Sequence, residues 1–490
     1  MVLAKITDHG LLTDQTVRDR DIDGGFCCSP SEQAGKTYSE ELSSGTLIPF
    51  KNIVWVERAL NESMEITYVE QQDSHFKVRT IVADVTGSQR SNEPGSKCSV
   101  SQLMALAYAN SEPKKSVIVF VNPHSGKGKA IHLYKHYVKP VLSAARYHVE
   151  LVKTEYSGHA TEYMKYVDID KYDGVICASG DGIPHEVLNG IYSREDRVKA
   201  FQKLFIAQTP CGSGNAMALS CLGTLKPGLA TLEIIKGHTV RSDLMLVCSK
   251  SSSPRISFLS QTYGIIAEAD IGTEWMRFIG KIRFDIGVLI NILRRKQFPC
   301  RVAVKRITSD KKELSEHYKS QYQQHGVTKP LDEDALKPKY FDGQLFDDDR
   351  LPAGWEWLDD NVTQNLSIFY TGKLPYIAKD VDFFPAALPN DGAIDLVLFD
   401  GRAQVWRSAH SLLQLDKGLH VWHDHVDHLK VESLKLVPML EKGRTSYISV
   451  DGENFPVEII QVEVLPGVMK TVMNDGRYTD SGFLAHIGRY

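Results

Sequence analysis

Three short segments of this sequence combine glycine with polar residues in a way that suits phosphate chemistry. They are 122–129 (NPHSGKGK), 179–182 (SGDG) and 211–215 (CGSGN), and each follows an apolar, strand-like run. Glycine lets the backbone approach a ligand closely and adopt positive φ, and the N–H groups of such turns form anion-binding concavities. Asp181, between two glycines, is a carboxylate suited to accept a proton from an alcohol. These residues predict a phosphate-binding site that contains a general base.

The elements that precede these segments must position them. Between Ser116 and about Val247, short apolar strands alternate with amphipathic helices, which is typical of a largely parallel α/β layer. The predicted strands are 117–121, 174–178 and 204–208. In a parallel sheet the carboxyl ends of the strands lie along one edge, and the N–H groups of the following helix N-termini point there. We therefore expect the three glycine turns to meet at one ligand-binding edge.

Two common nucleotide-binding motifs are absent from these turns. The segment around Gly126 lacks the pattern G-x-x-x-x-G-K-[ST]. Ile131 stands where the third glycine of a dinucleotide-binding fingerprint would be. The turns therefore predict a phosphate site of another class.

The remaining sequence predicts further regions around this layer. Residues 1–45 are rich in Asp, Gly and Ser and predict a mobile N-terminal segment, whereas β-rich runs in 46–98 predict a small antiparallel module. The α/β layer occupies 112–250, and 251–475 is β-rich again, with a charged insertion at 309–360 that predicts a long surface loop. The predicted fold class is an α/β catalytic domain with a mostly parallel sheet, followed by a larger antiparallel β-sandwich-like domain, with the small β-rich module upstream.

Composition narrows the function classes. The 490 residues carry a net charge of −4, so the chain lacks the basic footprint of a nucleic-acid-binding protein. The eight cysteines include no C-x-x-C pair, which indicates reduced thiols and neither a zinc site nor a disulfide framework. The N-terminal residues show no signal-peptide core, and no apolar run approaches the roughly 18 residues of a membrane span. We expect a protein made in the cytosol that does not cross a bilayer.

The three glycine segments also carry a family resemblance. Val121 to Lys129, Ser179 to Gly190 and Pro210 to Ala216 resemble the signature blocks of the diacylglycerol-kinase catalytic superfamily, and most of all those of its sphingosine kinase branch. Later blocks that resemble fungal long-chain-base kinases are 263–270, 375–379, 385–392 and 450–453. The resemblance covers about 46 to 475. It implies an ATP-dependent kinase that phosphorylates the primary hydroxyl of sphingoid long-chain bases, namely sphingosine, dihydrosphingosine and phytosphingosine.

The resemblance implies roles for individual residues. Asp181 matches the family's catalytic base. The residues that match ATP contacts are Asn122, Pro123, His124, Gly126, Gly128, Thr154, Glu155, Tyr156, Ser157, Gly158, Glu186, Gly212, Ser213, Gly214, Arg277, Arg283, Asp451, Gly452 and Glu453. Tyr156 and Ser157 stand where some relatives carry basic residues. Arg277 and Arg283 suit phosphate because a guanidinium binds it in a bidentate manner.

The resemblance also implies the metal and substrate contacts. Glu453 or Asp451 would help to hold Mg²⁺, which takes one or two carboxylates together with phosphate oxygens. The residues that match substrate contacts are Ser179, Gly180, Asp181, Gly182, Ser260 and Asp270. Asp270 matters most for the choice of lipid, because a sphingoid base carries an ammonium beside its primary hydroxyl and diacylglycerol does not. The expected cofactors are ATP and Mg²⁺.

Localisation and partners follow from a lipid substrate. We expect a cytoplasmic protein that associates peripherally with intracellular membranes, binds a sphingoid-base lipid and binds no nucleic acid. The adjacent Cys27 and Cys28 follow Phe26 in the predicted mobile segment and are candidates for reversible S-acylation. The sequence predicts no oligomeric state.

Three alternatives stay open at this point. A kinase of the same superfamily that acts on diacylglycerol, ceramide or another neutral lipid would share the glycine turns but would not need Asp270. An NAD-kinase-like enzyme would share the Gly-Asp-Gly turn, although the β-rich 251–475 with its apolar helix favours a lipid substrate. A non-catalytic lipid-binding relative would not need Asp181.

Overall fold

The computed structural model describes most of the chain as two compact units. The residues described are 2–14, 46–72, 75–87, 97–109, 111–271, 288, 291–322, 331–340, 350–439 and 446–487. Unit 1 comprises Met1–Lys114 and Lys139–Tyr147, and unit 2 comprises Lys115–Val138 and His148–Tyr490.

Unit 1 is built on a sheet with the strand order β3-β2-β1-β6-β5-β4. The strands are β1 (Val2–Ile6), β2 (Gly10–Thr13), β3 (Leu47–Pro49), β4 (Ile53–Arg58), β5 (Met64–Gln72) and β6 (His75–Thr86). Helix Val100–Tyr108 begins with a capping box between Ser99 and Gln102, which satisfies two N–H groups at its first turn. The Tyr108 hydroxyl donates to the carbonyl of Val54 on β4 at 2.7 Å. The small, mostly antiparallel module that the sequence predicts is therefore present.

The first two strands correct the prediction of a mobile segment over 1–45, at least for residues 2–14. In β1, Ala4 is buried and lies opposite Val85 of β6, with which β1 pairs in parallel. In β2, Leu11 is fully buried. The strands were missed because they are short, and because the strands on their outer sides, β6 beside β1 and β3 beside β2, lie far along the chain, which local periodicity cannot reveal. Residues 15–45 lie outside the described part of the chain.

Unit 2 combines the predicted α/β layer with the β-rich region. Its strands are β7 (Ser116–Val121), β8 (His148–Lys153), β9 (Gly174–Ser179), β10 (Phe205–Pro210), β11 (His238–Ser249), β12 (Arg255–Ser257), β13 (Ser260–Gly264), β14 (Cys300–Arg306), β15 (Glu356–Trp357), β16 (Leu366–Gly372), β17 (Tyr376–Ala378), β18 (Val381–Asp382), β19 (Ile394–Asp400), β20 (Val426–Pro438), β21 (Ile448–Val450), β22 (Glu453–Phe455) and β23 (Ile460–Met473). Its α-helices include Ala130–Leu133, His159–Tyr166, Gly182–Tyr192, Arg197–Lys203, Ala216–Leu222, Pro227–Lys236, Ile265–Asp270, Lys311–Tyr322, Asp360–Thr363, Val405–Leu413 and Phe483–His486.

Most of these strands belong to one sheet. Its main path is β22-β21-β13-β16-β19-β20-β23-β10-β9-β7-β8, with β11 added on β23 and β14 on β20. The strands β8, β7, β9 and β10 pair in parallel, whereas the β-rich strands from β13 to β23 pair antiparallel. The two parts join where β10 pairs in parallel with β23, with Phe205 opposite Lys470. The predicted fold class is confirmed, and the two parts share one continuous sheet.

The helix Lys311–Tyr322 corrects the prediction of a surface loop over 309–360. Leu314 and Tyr318, four residues apart on one helix face, are buried, and the Tyr318 ring packs on Phe483 with centroids 4.8 Å apart. Two apolar residues in a charged run are a weak helix signal, so tertiary contacts decide the structure here.

Buried ion pairs hold the β-rich region together. Lys373 donates to Asp243 at 2.9 Å and to Asp391 at 2.8 Å, and Lys430 donates to Asp391 at 2.7 Å and to Asp395 at 2.9 Å. Removing one member of such a buried set leaves the charge of its partner without a counter-charge, which lowers the stability of the fold. Asp391 belongs to the block 385–392 that resembles the family, and in this structure its contacts are internal.

Within the described residues, no single helix is long and apolar enough to cross a bilayer; Ala216–Leu222 and Pro227–Lys236, bent by 51° to one another, reach that length and composition only as a pair.

Candidate active site

The carboxyl ends of four neighbouring parallel strands form the candidate site. Along the sheet they follow the order β10-β9-β7-β8. The chain leaves β7 toward β8 on one side and then continues in β9 on the other side. Such a reversal of strand order opens a crevice at the strand ends, which is where ligands bind in open α/β sheets.

The three glycine turns pack against one another at this edge. A Cβ atom added to Gly212 would lie 2.2 Å from Gly180 Cα, and one added to Gly126 would lie 2.5 Å from the carbonyl oxygen of Cys211. The Ser125 hydroxyl lies 3.0 Å from the Ser179 hydroxyl and accepts from Gly180 N–H at 3.3 Å. Only glycine permits this approach, so the turns after β7, β9 and β10 meet as the sequence predicts.

The turn after β7 has the shape of an anion-binding nest. Gly126, Lys127 and Gly128 have φ values of 59°, 59° and 78° in succession. A change between left-handed and right-handed backbone, as from Gly128 to Lys129 (φ −92°), directs successive N–H groups to one concave side, where a phosphate group fits. The turn is fixed from its start because Asn122 Oδ1 accepts from His124 N–H at 2.9 Å. Among the predicted ATP contacts, this segment is the one whose backbone shape supports the prediction most directly.

Asp181 lies where the turns converge, at the start of helix Gly182–Tyr192. Its Oδ1 accepts from Gln208 Nε2 at 3.1 Å and from Met217 N–H at 3.3 Å. Its Oδ2 accepts from Ala216 N–H at 3.0 Å. The side chain does not cap its own helix. It instead binds the first N–H groups of helix Ala216–Leu222, so ordinary turn chemistry does not explain this aspartate.

The Asp181 carboxylate keeps room for one more donor. Each carboxylate oxygen can accept about two hydrogen bonds. Among the residues that the structure describes, Oδ1 has two donors and Oδ2 has one, and the side chain is only partly buried. Burial raises the pKa of Asp181 to about 6, while the bonds from Ala216, Met217 and Gln208 hold the pKa below what burial alone would give. A carboxylate in this state can accept a proton near neutral pH.

The segment after β8 lies beside the turn after β7. Thr154 N–H donates to the carbonyl of Val121 at 3.0 Å. Glu186 connects this segment to the Asp181 helix, since its Oε2 accepts from Ala160 N–H at 3.0 Å. The Tyr156 ring stacks on His159 with centroids 4.8 Å apart. The family resemblance implies an ATP contact for Glu186; in the structure its Oε2 binds an N–H group in the first turn of helix His159–Tyr166.

Asp451, in the hairpin turn between β21 and β22, is bound on every side by protein donors. Its Oδ1 accepts from the Ser257 hydroxyl at 2.6 Å, and from the N–H groups of Leu259 at 3.1 Å and Ser260 at 2.9 Å. Its Oδ2 accepts from Phe258 N–H at 3.2 Å and from His185 Nδ1 at 2.8 Å. The expectation that Asp451 helps to hold Mg²⁺ is therefore corrected, because its lone pairs are occupied. Glu453, two residues further on, is exposed.

Two residues that the sequence did not single out tie the Asp181 helix to the β-rich region. His185 contacts Asp451, as described above. Asn189, one turn further along, donates to the carbonyl of Ile256 at 2.9 Å and accepts from the N–H of Ile256 at 2.9 Å. The available sequence signal was that His185 and Asn189 are four residues apart, which places them on one helix face. Both lie inside the block Ser179 to Gly190 that resembles the family.

The predicted head-group contacts lie around a buried tyrosine. The Ser260 hydroxyl donates to Tyr370 Oη at 3.4 Å, and the Ser449 hydroxyl donates to Asp270 at 3.1 Å. Burial raises the pKa of Tyr370, and the charges of Asp270, Asp451 and Asp181 raise the pKa further. Tyr370 on β16 and Ser449 on β21 both lie opposite Thr262 of β13, one on each side of that strand, so the two contacts lie on neighbouring strands. No sequence pattern pointed to Tyr370.

Four predicted residues cannot be assessed in this way. Arg277, Arg283, Cys27 and Cys28 lie outside the described residues. Within the residues that are described, no group of three or more His, Cys, Asp or Glu side chains is arranged to hold a metal ion.

Comparison with known proteins agrees with this geometry. The diacylglycerol kinase catalytic domain family matches residues 116–247, which include the strands and turns of the parallel layer. Sphingoid long chain base kinase 5 of Saccharomyces cerevisiae is 42% identical over 78% of this chain, which spans 63% of that relative's length. Sphingoid long chain base kinase 4 of Schizosaccharomyces pombe is 34% identical over 87% of each chain. Sphingosine kinase 1 of Arabidopsis thaliana is 32% identical over 70% of this chain and 68% of its own.

Proposed function

The chain belongs to the sphingosine kinase branch of the diacylglycerol kinase catalytic family, and from this we propose that it transfers the γ-phosphoryl group of ATP to the primary hydroxyl of a sphingoid long-chain base. The observation that carries the proposal is the position of Asp181. It lies where the three glycine turns meet. Among the described residues Oδ2 receives one donor, so it retains room for another.

In the proposed reaction Asp181 is the general base. Its Oδ2 accepts the proton of the lipid hydroxyl as the hydroxyl oxygen forms a bond to the γ-phosphorus. The bond between that phosphorus and the oxygen bridging to the β-phosphate then breaks, and ADP leaves. The protein supplies position and charge stabilisation rather than covalent chemistry, so the nest at 126–128 is proposed to bind the triphosphate.

Mg²⁺ is proposed to act with the nucleotide, where it would neutralise phosphate charge. Glu453 is the acid proposed to bind it, because Glu453 is exposed while the Asp451 carboxylate is saturated. One carboxylate together with phosphate oxygens is an ordinary ligand set for this ion.

For the substrate we propose that Asp270 recognises the ammonium of the sphingoid base, with Ser260 beside it. A carboxylate in a partly desolvated setting favours a cationic head group over a neutral one. This is the reason to prefer a sphingoid base over diacylglycerol or ceramide. Because such substrates lie in bilayers, we further propose peripheral association with intracellular membranes from the cytoplasmic side, to which acylation of Cys27 and Cys28 would contribute.

The proposal is tested by giving the purified full-length chain γ-labelled ATP and Mg²⁺ with one lipid at a time and separating the products by thin-layer chromatography. The lipids are sphingosine, dihydrosphingosine, phytosphingosine, diacylglycerol and ceramide. We expect label in the long-chain-base phosphates. Label in phosphatidate or ceramide phosphate alone would assign the alternative kinase, and an active relative assayed in parallel guards against an inactive preparation.

A further inference from the structure

Gln208 is a buried polar residue in the middle of strand β10, and the proposed mechanism does not yet use it. It is 1% exposed in a strand whose burial is complete along its length. Burying an amide is unfavourable unless its donor and acceptor are both satisfied. The contacts that satisfy this amide therefore indicate why it is there.

The orientation of the Gln208 amide is determined by its partners. Its Oε1 accepts from Ala218 N–H at 2.8 Å, and a backbone N–H can only donate. The Nε2 group must then face the other way, where it donates to Asp181 Oδ1 at 3.1 Å and lies 3.4 Å from the carbonyl oxygen of Ser179. Gln208 thus presents a fixed donor to the carboxylate.

This contact differs from the other two that Asp181 receives. Ala216 and Met217 donate through the backbone, whereas Gln208 donates through a side chain that another residue could replace. Together Gln208 and Met217 fill Oδ1, so the remaining acceptor position among the described residues is on Oδ2. Without Gln208 the carboxylate could rotate, and Oδ1 would compete for the incoming hydroxyl.

We propose that Gln208 is a positioning residue, which directs Oδ2 of Asp181 at the substrate hydroxyl and sets the lower limit of the pH range in which Asp181 works as a base. This inference rests on the proposed role of Asp181. Gln208 contacts Oδ1 of Asp181, whereas the proposed contact with the substrate hydroxyl is at Oδ2.

The sign of the pH effect follows from the groups that face Asp181. A hydrogen bond to the charged carboxylate lowers its pKa, and Gln208 is such a donor. Burial raises the pKa, and so does the negative charge of Asp451 on the hairpin turn. Ser260, whose N–H binds Asp451, donates its hydroxyl to Tyr370 of β16, and His185 of the Asp181 helix is bound to Asp451. Losing Gln208 therefore raises the pKa of Asp181. As the pH is lowered, the activity of the variant should then fall at a higher pH than that of the unmodified chain.

The test is the pH dependence of kcat/KM for a sphingoid base in the full-length chain. Gln208→Met removes donor and acceptor at similar length, and Gln208→Glu keeps an acceptor for Ala218 N–H but sets an acid against Oδ1. For Gln208→Met we expect the acid limb to move up by about one pH unit, because the carboxylate loses a hydrogen bond that stabilises its charged form. Gln208→Glu should move it further. The KM for ATP should change little in both.

Controls separate this inference from a structural role and from the proposed function. Thr209→Val is a buried polar-to-apolar change on the same strand and should leave the acid limb in place. Asp181→Asn is assayed in parallel. If it is inactive while both Gln208 variants keep the acid limb of the unmodified chain, the inference is overturned and the base assignment stands. If Asp181→Asn turns over normally, the base assignment fails and the inference fails with it.

Discussion

The strand-end turn that carries Asp181 and the hairpin turn that carries Asp451 are built from similar parts. Each aspartate precedes a glycine, and each receives both backbone and side-chain donors. They differ in how many donors they receive. Asp451 has five and is 5% exposed, whereas Asp181 has three among the described residues and is only partly buried.

The number of donors distinguishes a carboxylate that can react from one that stabilises the fold. A carboxylate with all acceptor positions filled is a strong cross-link, because its donors would be left unpaired without it. A carboxylate with one position left can exchange a proton with a ligand. In this fold the saturated acid joins residues 257–260 and His185, while the unsaturated acid lies beside the glycine turns.

The largest effect is expected for Asp181→Asn. An amide cannot accept the hydroxyl proton, so kcat should fall about 100- to 10,000-fold. The variant should remain folded, with a modest loss of stability, because the amide NH₂ faces the Ala216 N–H that now donates to Oδ2. The measurement is single-turnover kinetics with nucleotide binding measured separately. A variant with normal kcat would remove the functional half of the comparison.

The second prediction concerns Asp451→Ala, which should act on stability. It leaves several buried donors without an acceptor, so the free energy of unfolding should fall by about 3–5 kcal/mol. Urea unfolding followed by circular dichroism measures this, with the exposed Asp416→Ala as the matched control. If Asp451→Ala unfolded like the unmodified chain but had lost turnover, Asp451 would be a ligand-binding acid and the contrast with Asp181 would disappear.

The third prediction concerns Asp270→Asn. It should lower kcat/KM for sphingosine by the value of a charge-assisted bond, about 1.5–3 kcal/mol or roughly 10- to 100-fold. The kcat/KM for ATP, measured on the turnover that the Asp270→Asn variant retains, should change much less. Glu268→Gln on the same helix is the control, since Glu268 binds Lys296. Equal losses in the two variants would indicate a general effect of charge on the helix and would argue against head-group recognition by Asp270.

The sequence predicted the parallel strands and the glycine turns because these signals are local. Strands β7, β9 and β10 are buried on both faces, and each contains a run of apolar residues that the sequence shows, although Gln208 interrupts the run in β10. Strand β8 lies at the sheet edge, where Glu150 and Lys153 interrupt its apolar pattern, and it was missed. Strand β11 was also missed, since its first residues are exposed.

The roles of Asp451 and Gln208 depend on contacts that no local pattern records. Ser260, which donates to Asp451, lies 191 residues earlier in the chain, and Asp181 lies 27 residues before Gln208. An Asp-Gly turn looks the same in sequence whether its carboxylate is saturated or free. The meeting of the glycine turns could therefore be predicted, whereas the difference in the number of donors to the two carboxylates needed the structure.

The smallest effect is expected for Asn189→Ala, which tests how the saturated acid and the Asp181 helix are held together. Asn189 binds both backbone groups of Ile256, next to the segment that wraps Asp451. Its loss leaves one buried donor and one buried acceptor unpaired, so the free energy of unfolding should fall by about 1–3 kcal/mol. Asn189→Asp keeps the acceptor for Ile256 N–H but sets an oxygen against the Ile256 carbonyl, so it should be no more stable than Asn189→Ala. The exposed Asn454→Ala on β22 is the control and should be neutral. Faster amide exchange at Ile256 in both Asn189 variants would locate the loss at this contact. If exchange at Ile256 stayed unchanged while stability fell, the helix would be held by His185 and Asp451 alone, and the saturated acid would carry the whole connection.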